Sequence, residues 1–497
     1  MTEPASRSTL YRSAALVVAM QWSVRLIGLV SVLIIARLLS PEDFGLIGLA
    51  TAALMLVELL GAVGLRQALL RVENPGREHF DTAWTLHVIL FSAMGAISLA
   101  AAPLAASFYG QPALGTIIAV LSLRFFILGV ANIGIVEFDR AYEFGRDLKM
   151  RIGSRLVAFV GTITAAVLLR NYWALVIGLL LQTGCFCIAS YLAHPYRPRF
   201  SLKRRAELLG TSVWIFVHAV MQTIQMQIER LVLGRFSSPH TIGLFSVSKD
   251  LSEIFTQEIA TGLNRVTFVT VARTGGSLSD SPLRVAQILG AYAMIAAPMG
   301  FGLVASAENA IVVLLGWNWV EAAPFLRIVA VYSALYTVYK VIASALQASG
   351  HAKRAAFMSG AGALCLVGVI GGTALVRPET MAVAAAALTA NFLVLIMGIA
   401  VIARQSGQSG FALALHVFRP FAAAATMMVV VMTLAPQTGE PLIDLLGQMA
   451  MGAVSYPLLL LLLWAASGRP PGGEREAVAF VAELYSKLRR RSAVGEA

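Results

Sequence analysis

The sequence predicts an all-α polytopic membrane protein of about 14 transmembrane helices, arranged as two parallel, pseudo-twofold-related six-helix bundles followed by two further helices. Three observations carry that expectation. Of 497 residues, 58% are hydrophobic and only 13% charged, with a mean hydropathy of +0.77; a soluble chain of this length is less apolar. The stretch Arg37-Leu-Leu-Ser40-Pro41-Glu-Asp-Phe-Gly45-Leu46 returns 198 residues later as Arg235-Phe-Ser-Ser238-Pro239-His-Thr-Ile-Gly243-Leu244, so the chain contains its fold twice. Finally, 27 Arg and Lys residues fall in one alternate set of loops and the two tails, against four (Arg37, Arg170, Arg235, Arg377) in the opposite set. Basic loops stay in the cytoplasm, so both termini are expected there and the span count is even.

The first half is expected to span at 14–39, 44–65, 82–103, 113–136, 152–169 and 172–193. Its opening segment is too long for the apolar region of a signal peptide and carries Arg25 inside it. The basic run His194 to Arg205 separates this half, residues 1–200, from the second, 201–404, with spans at 211–233, 242–264, 285–305, 324–347, 355–376 and 380–402. The Gly/Ser/Gln stretch Gln405 to Gly410 precedes two more spans, 420–434 and 446–466, within a third region, 405–467. In the tail, 468–497, Val478, Val481, Tyr485 and Leu488 share one helical face, as in an amphipathic helix on the inner leaflet. Outward loops such as Leu104–Pro112 and Ala435–Ile443 are too short to fold as a catalytic domain. Trp317 and Trp319 are expected at headgroup depth.

The net charge of +12 follows from the basic loops facing anionic membrane lipids and needs no nucleic-acid partner. Cys185 and Cys187 point to different faces of one helix and Cys365 lies in another, so neither a disulfide framework nor a metal site is expected. No Gly-Lys dipeptide and no His-Glu dipeptide occur, which removes a Walker A loop and the HExxH zinc motif. No cofactor is implied. The remaining sources of drive are a coupling cation, the membrane potential, or consumption of product outside.

Polar groups inside spans are costly and therefore informative. In span eight Ser246, Lys249, Asp250, Glu253, Gln257 and Asn264 fall within roughly 60° of one line down the helix. Span seven repeats this with Thr211, His218, Gln222, Gln225 and Glu229. Gln21, Arg25 and Gly28 share a face in span one, and Arg124 is central in span four. Facing lipid, Arg25 and Arg124 together would cost about 5–7 kcal/mol, so both are expected to face protein or water. Lys249 and Glu253 are spaced to pair. Arg155, Arg230 and Arg327 are expected near span ends, where they can snorkel. Tyr332, Tyr336 and Tyr339 line one side of span ten, as packing or as a platform for sugar rings.

The segment Ala36 to Gly45 resembles the signature turn of the polysaccharide transporter family, in the multidrug/oligosaccharidyl-lipid/polysaccharide flippase superfamily. Gly64-Leu-Arg-Gln-Ala-Leu69, Ala105-Ala-Ser-Phe-Tyr109, Glu229-Arg-Leu-Val-Leu-Gly-Arg235 and Leu315 to Arg327 agree in order; Glu229 stands where the family commonly has Asp. The resemblance covers roughly 14–405. It implies a flippase of the bacterial inner membrane. Such a protein moves polyprenyl-diphosphate-linked oligosaccharide units to the outer leaflet for O-antigen, capsule or exopolysaccharide assembly, with a polysaccharide polymerase downstream and H+ or Na+ as a coupling cation. Arg25, Arg124 and Lys249 suit the diphosphate. His218, Gln222, Gln225, Glu229, Asp250, Glu253 and Gln257, with Tyr332 and Tyr336, suit sugar. The rivals are a cation-coupled multidrug exporter of the same superfamily and, in another class, a membrane glycosyltransferase or polymerase.

Overall fold

Every apolar segment becomes a helix, because hydrocarbon leaves the backbone no hydrogen-bond partner but itself. The computed structural model describes residues 26–61, 65–141, 143–208, 213–273, 282–470 and 472–475. Among them the helices are α1 (Leu26–Ala36), α2 (Pro41–Glu58), α3 (Leu65–Arg71), α4 (Arg77–Tyr109), α5 (Pro112–Gly129), α6 (Val136–Arg140), α7 (Phe144–Leu169), α8 (Trp173–Ala193), α9 (Arg205–Leu208), α10 (Val213–Phe236), α11 (Pro239–Arg273), α12 (Pro282–Ala305), α13 (Ala307–Leu314), α14 (Ala323–Ala348), α15 (Ala352–Val376), α16 (Thr380–Ser406), α17 (Gly410–Leu434) and α18 (Pro441–Ala466). A helix lies in each of the 14 expected spans. Among the described residues, however, 11 are long and apolar enough to cross a membrane by length and composition. Those outside that set are α1, of which only the later part is described, and α10 and α11, the two that carry the polar stripes.

The chain divides into two compact units, Met1–Ser246 and Val247–Ala497, so α11 begins in the first and continues in the second. The core of the first unit is apolar: Leu49, Leu54, Met94, Leu114, Ile117, Leu121 and Phe125 from α2, α4 and α5 are buried together with Ile242 of the repeated turn. In the second unit α14 is the central element, with 78% of its most apolar window buried, and it packs against α12, α15 and α16.

The repeated turn is built the same way twice. Ser40 Oγ accepts from the Asp43 amide and Ser238 Oγ from the Thr241 amide, each at 3.3 Å, and a proline opens the helix that follows. The two turns also meet each other. A Cβ on Gly45 would overlap the Pro239 carbonyl oxygen, and one on Gly243 would overlap the Pro41 carbonyl oxygen. One turn of helix on, a Cβ on Gly48 would come within 2.9 Å of Oγ of Ser246, its own counterpart in the repeat. Residue and counterpart exchanging places in this way is the signature of a local twofold relation. Asp43 also accepts from the Tyr172 amide at 2.8 Å, which ties the α7–α8 turn to the same end.

At the opposite end of the first unit the basic loops are stitched together. Residues 194–208 run as a strap over the start of α4. Tyr196 donates to Asp81 at 2.5 Å, and the amides of Arg199 and Ser201 donate to Asp81 and Thr85 at 3.0 and 2.9 Å. Asn132, buried between α5 and α6, donates to the carbonyls of His194 and Tyr196. His79 meets Glu207 at 3.0 Å, and Arg66 pairs with Asp139. In the second unit, residues 472–475 fold back onto α12 and α17. There Arg419 and Glu474 form a 2.7 Å ion pair whose side chains are only 3% and 1% exposed. The amphipathic stretch expected at 478–488 lies outside the described residues.

Two expected boundaries move, and one expected tryptophan placement changes. The α7 helix starts at Phe144, eight residues before the expected 152, so Arg155 lies at mid-helix rather than near an end. Arg146, Lys149 and Arg151 count by charge among the basic loop residues, yet Arg151 and Asp147 pair at 2.8 Å one turn apart on the helix itself. The α17 helix begins at Gly410 and runs through Pro420, which a helix packed against neighbours tolerates. Trp319 is wholly buried, whereas Trp317 is 70% exposed, so only one of the pair has the character of an interfacial anchor.

Candidate functional site

Two helices, α10 and α11, concentrate the polar side chains, as the periodicity predicts. On α10, within the first unit, His218, Gln225 and Glu229 are buried and Gln222 is half-buried. Two residues outside the expected stripe join them. Gln227 is 5% exposed and reaches the Met55 sulfur at 3.0 Å, and buried Arg230 donates to the Ser246 carbonyl at 3.3 Å. So Arg230 is enclosed rather than snorkelling: it ties the end of α10 to the start of α11 across the repeated turn. The Gln227 Oε1 atom has no partner among the described residues. Buried amides at this density cost free energy unless they are satisfied by one another, by water or by a ligand.

Arg124 comes from the middle of α5 and finds a carboxylate that sequence reasoning passed over. Glu58, the last residue of α2, meets it at 2.7 Å, with the two side chains 22% and 34% exposed. Its guanidinium also sits 5.7 Å from the Phe125 ring. The pair is accessible and partly neutralised, so Arg124 presents a hydrogen-bonding fork more than a bare charge. Arg25 lies outside the described residues.

In the second unit Lys249 is buried at 4%, Glu253 is half-buried and Asp250 is exposed. All three are already engaged with neighbouring groups. Val247, Ser248, Leu251 and Ser252, on the face opposite the stripe, are buried as deeply. At this point α11 is enclosed on most sides rather than amphipathic. Gln257 falls on α11, but its side chain lies outside the described set. Tyr332, Tyr336 and Tyr339 are all buried in α14, with the rings of Tyr336 and Tyr339 5.9 Å apart and Lys340 Nζ 5.9 Å from the Tyr336 ring. In this state the three rings offer almost no face to a sugar. Arg327 pairs with Glu308 at 2.6 Å.

Among the described residues no group of His, Cys, Asp and Glu is arranged to hold a metal. The three cysteines are free thiols.

Eleven helices long and apolar enough to cross a membrane among the described residues, an ungapped sequence repeat, and two helices rich in buried polar side chains define a multi-pass membrane protein of transporter architecture. The solved structure of the lipid II flippase MurJ, in its inward closed conformation, superposes with a TM-score of 0.72 at 13% identity, over 91% of this chain and 99% of that one. The chain belongs to the polysaccharide biosynthesis protein family, which matches residues 34–324. It is 25% identical over 453 residues, covering 87% of this chain and 89% of the relative, to the succinoglycan biosynthesis transport protein ExoT of Rhizobium meliloti (strain 1021). It is 21% identical over 330 residues, 65% of this chain and 66% of the relative, to the lipopolysaccharide biosynthesis protein WzxC of Escherichia coli (strain K12).

Proposed function

We propose that this protein is a flippase that carries polyprenyl-diphosphate-linked oligosaccharide units from the inner to the outer leaflet of a bacterial inner membrane, by alternating access between its repeated halves, to feed polysaccharide assembly. The observation that carries the reading is family membership combined with full-length likeness to a succinoglycan transport protein. The chemistry of the polar helices supports it. A diphosphate needs guanidinium or ammonium groups inside the membrane, which Arg25, Arg124 and Lys249 supply; sugar hydroxyls need amides and carboxylates, which His218, Gln222, Gln225, Glu229, Asp250, Glu253 and Gln257 supply. Both termini face the cytoplasm, so the stitched basic end of the first unit meets anionic headgroups. Outward movement of each negative charge is aided by about 2.3 kcal/mol per 100 mV of inside-negative potential. A coupling cation and a polymerase that consumes the product complete the scheme. A cation-carrying drug exporter is poorly served by Arg25 and Arg124, and the glycosyltransferase alternative has no counterpart among the relatives.

The test is the lipid-linked intermediate. Deleting the gene should block surface polysaccharide and accumulate an undecorated-chain precursor, the prenyl-diphosphate saccharide, on the cytoplasmic side. Normal surface polysaccharide with raised drug sensitivity would overturn the proposal in favour of the exporter.

A further inference from the structure

The geometry points to an oxyanion site inside the first unit, centred on Arg155, that takes the phosphate group of a lipid. Arg155 is the twelfth residue of the 26-residue α7 and lies on its buried face, with Ala158, Thr162 and Ala166, while Val157, Val160 and Val167 point outward. Its Nη1 donates to Gln182 Oε1 at 2.7 Å. Among the described residues no carboxylate lies within ion-pair distance of it, and its other donors are open. Arg124 has a carboxylate and Arg230 a backbone carbonyl; Arg155 has a neutral amide.

The guanidinium borders a cavity of about 130 Å³ between α1, α7 and α8, lined on its polar side by Ser31, Arg155, Thr162 and Gln182. At about 30 Å³ per water that is room for roughly four waters, enough for one tetrahedral anion. Gly28 makes the arrangement possible: a Cβ there would come within 2.6 Å of Arg155 Nη2. The Ser31 hydroxyl has no partner among the described residues and stands one helical turn from Gly28 on the same wall. A planar fork with one edge anchored on Gln182 and the other free, beside hydroxyls, recognises a phosphate oxygen pair. A cation at this depth with neutral company is costly unless an anion or water joins it.

The identification of the anion as the carrier's diphosphate rests on the function proposed above; the site itself does not. Purified full-length protein is titrated with farnesyl diphosphate, inorganic pyrophosphate, phosphatidylglycerol and, as a neutral control, farnesol. Wild type should bind farnesyl diphosphate, Arg155→Gln and Gln182→Leu should weaken it by about tenfold or more, and Arg155→Lys should fall between, with farnesol binding unchanged. Displacement by pyrophosphate assigns recognition to the phosphates alone, and displacement by phosphatidylglycerol alone assigns the site to bilayer lipid; either supports an oxyanion site, and the second separates it from cargo transport. Undiminished farnesyl diphosphate and phosphatidylglycerol binding in both Arg155→Gln and Gln182→Leu overturns the inference while leaving the flippase reading intact. Should Arg155→Gln fail to fold, Gly28→Ala decides, since the added methyl displaces the fork: weakened binding supports the site and unchanged binding removes it.

Discussion

The contact between Gly45 and Pro239, and its mirror between Gly243 and Pro41, brings the backbones of the two repeated turns so close that neither glycine has room for a Cβ. Alanine at either glycine must push a carbonyl away, and overpacking of this kind costs about 1–3 kcal/mol. Gly45→Ala and Gly243→Ala should each lower the thermal midpoint of purified protein. Because both act on one crossing, the double variant should fall short of the sum of the singles; full additivity would mean that the crossing is not shared. The glycines were legible in the sequence as matched positions of a repeat. Their mutual contact was not, because a repeat says that two segments are alike and nothing about whether they touch. The same limit applied to Arg124 and Glu58, 66 positions apart in sequence. Arg124 stands out in the sequence as a cation in an apolar context and Glu58 does not, because pairing across helices is a tertiary fact. Arg155 was misplaced for a different reason: charged residues before it read as loop, so a mid-helix position passed for a terminal one.

Among the elements, the strap over residues 194–208 departs most from its sequence reading. Its Pro and Arg content marks a boundary between halves, a reading that assigns its backbone no partner. Instead its amides and one phenol find Asp81, Thr85 and Thr82, and Asn132 holds its carbonyls from below. Burial and the hydrogen bond to Asp81 push the Tyr196 phenol above its ordinary range, so it remains a neutral donor at any physiological pH. Asp81→Asn removes the charge that receives two of these bonds, from the Tyr196 phenol and the Arg199 amide, and protease cleavage between 194 and 208 should become several times faster, in line with charge-assisted bonds worth about 1.5–3 kcal/mol; cleavage at the wild-type rate would show that the strap is held elsewhere. Acid should act in the same direction. Arg204, and after it His79, hold the exposed Glu207 carboxyl below its usual value. A lowered carboxylate contributes above its unfolded pKa, about 4.3, and loses that contribution as pH falls through the folded value. Strap cleavage by one acid-tolerant protease should therefore rise as pH falls from about 5 through the lowered folded value, and less so in Glu207→Gln.

For the whole molecule, the membrane and the family were legible, because composition and the ordered motifs around the repeated turn are properties of the chain itself. The polar helices α10 and α11 were found for the same reason. What the sequence could not convey was which side chains are enclosed: Tyr332 and Tyr336 on α14, and both faces of α11 around Lys249, are buried in this state. Arg124→Ala should abolish transfer of a prenyl-diphosphate saccharide across vesicles containing purified protein while the protein still inserts, and transfer at the wild-type rate would remove Arg124 from the substrate path. The fold-back at residues 472–475 bears on how the protein can be handled. Glu474 neutralises Arg419 deep among α12 and α17, and removing one partner of such a pair costs about 3–5 kcal/mol. A chain cut just ahead of Glu474 would leave a stranded guanidinium and poor yield, whereas a purification tag joined to the far terminus spares it; the end of the last helix is therefore the wrong place to trim.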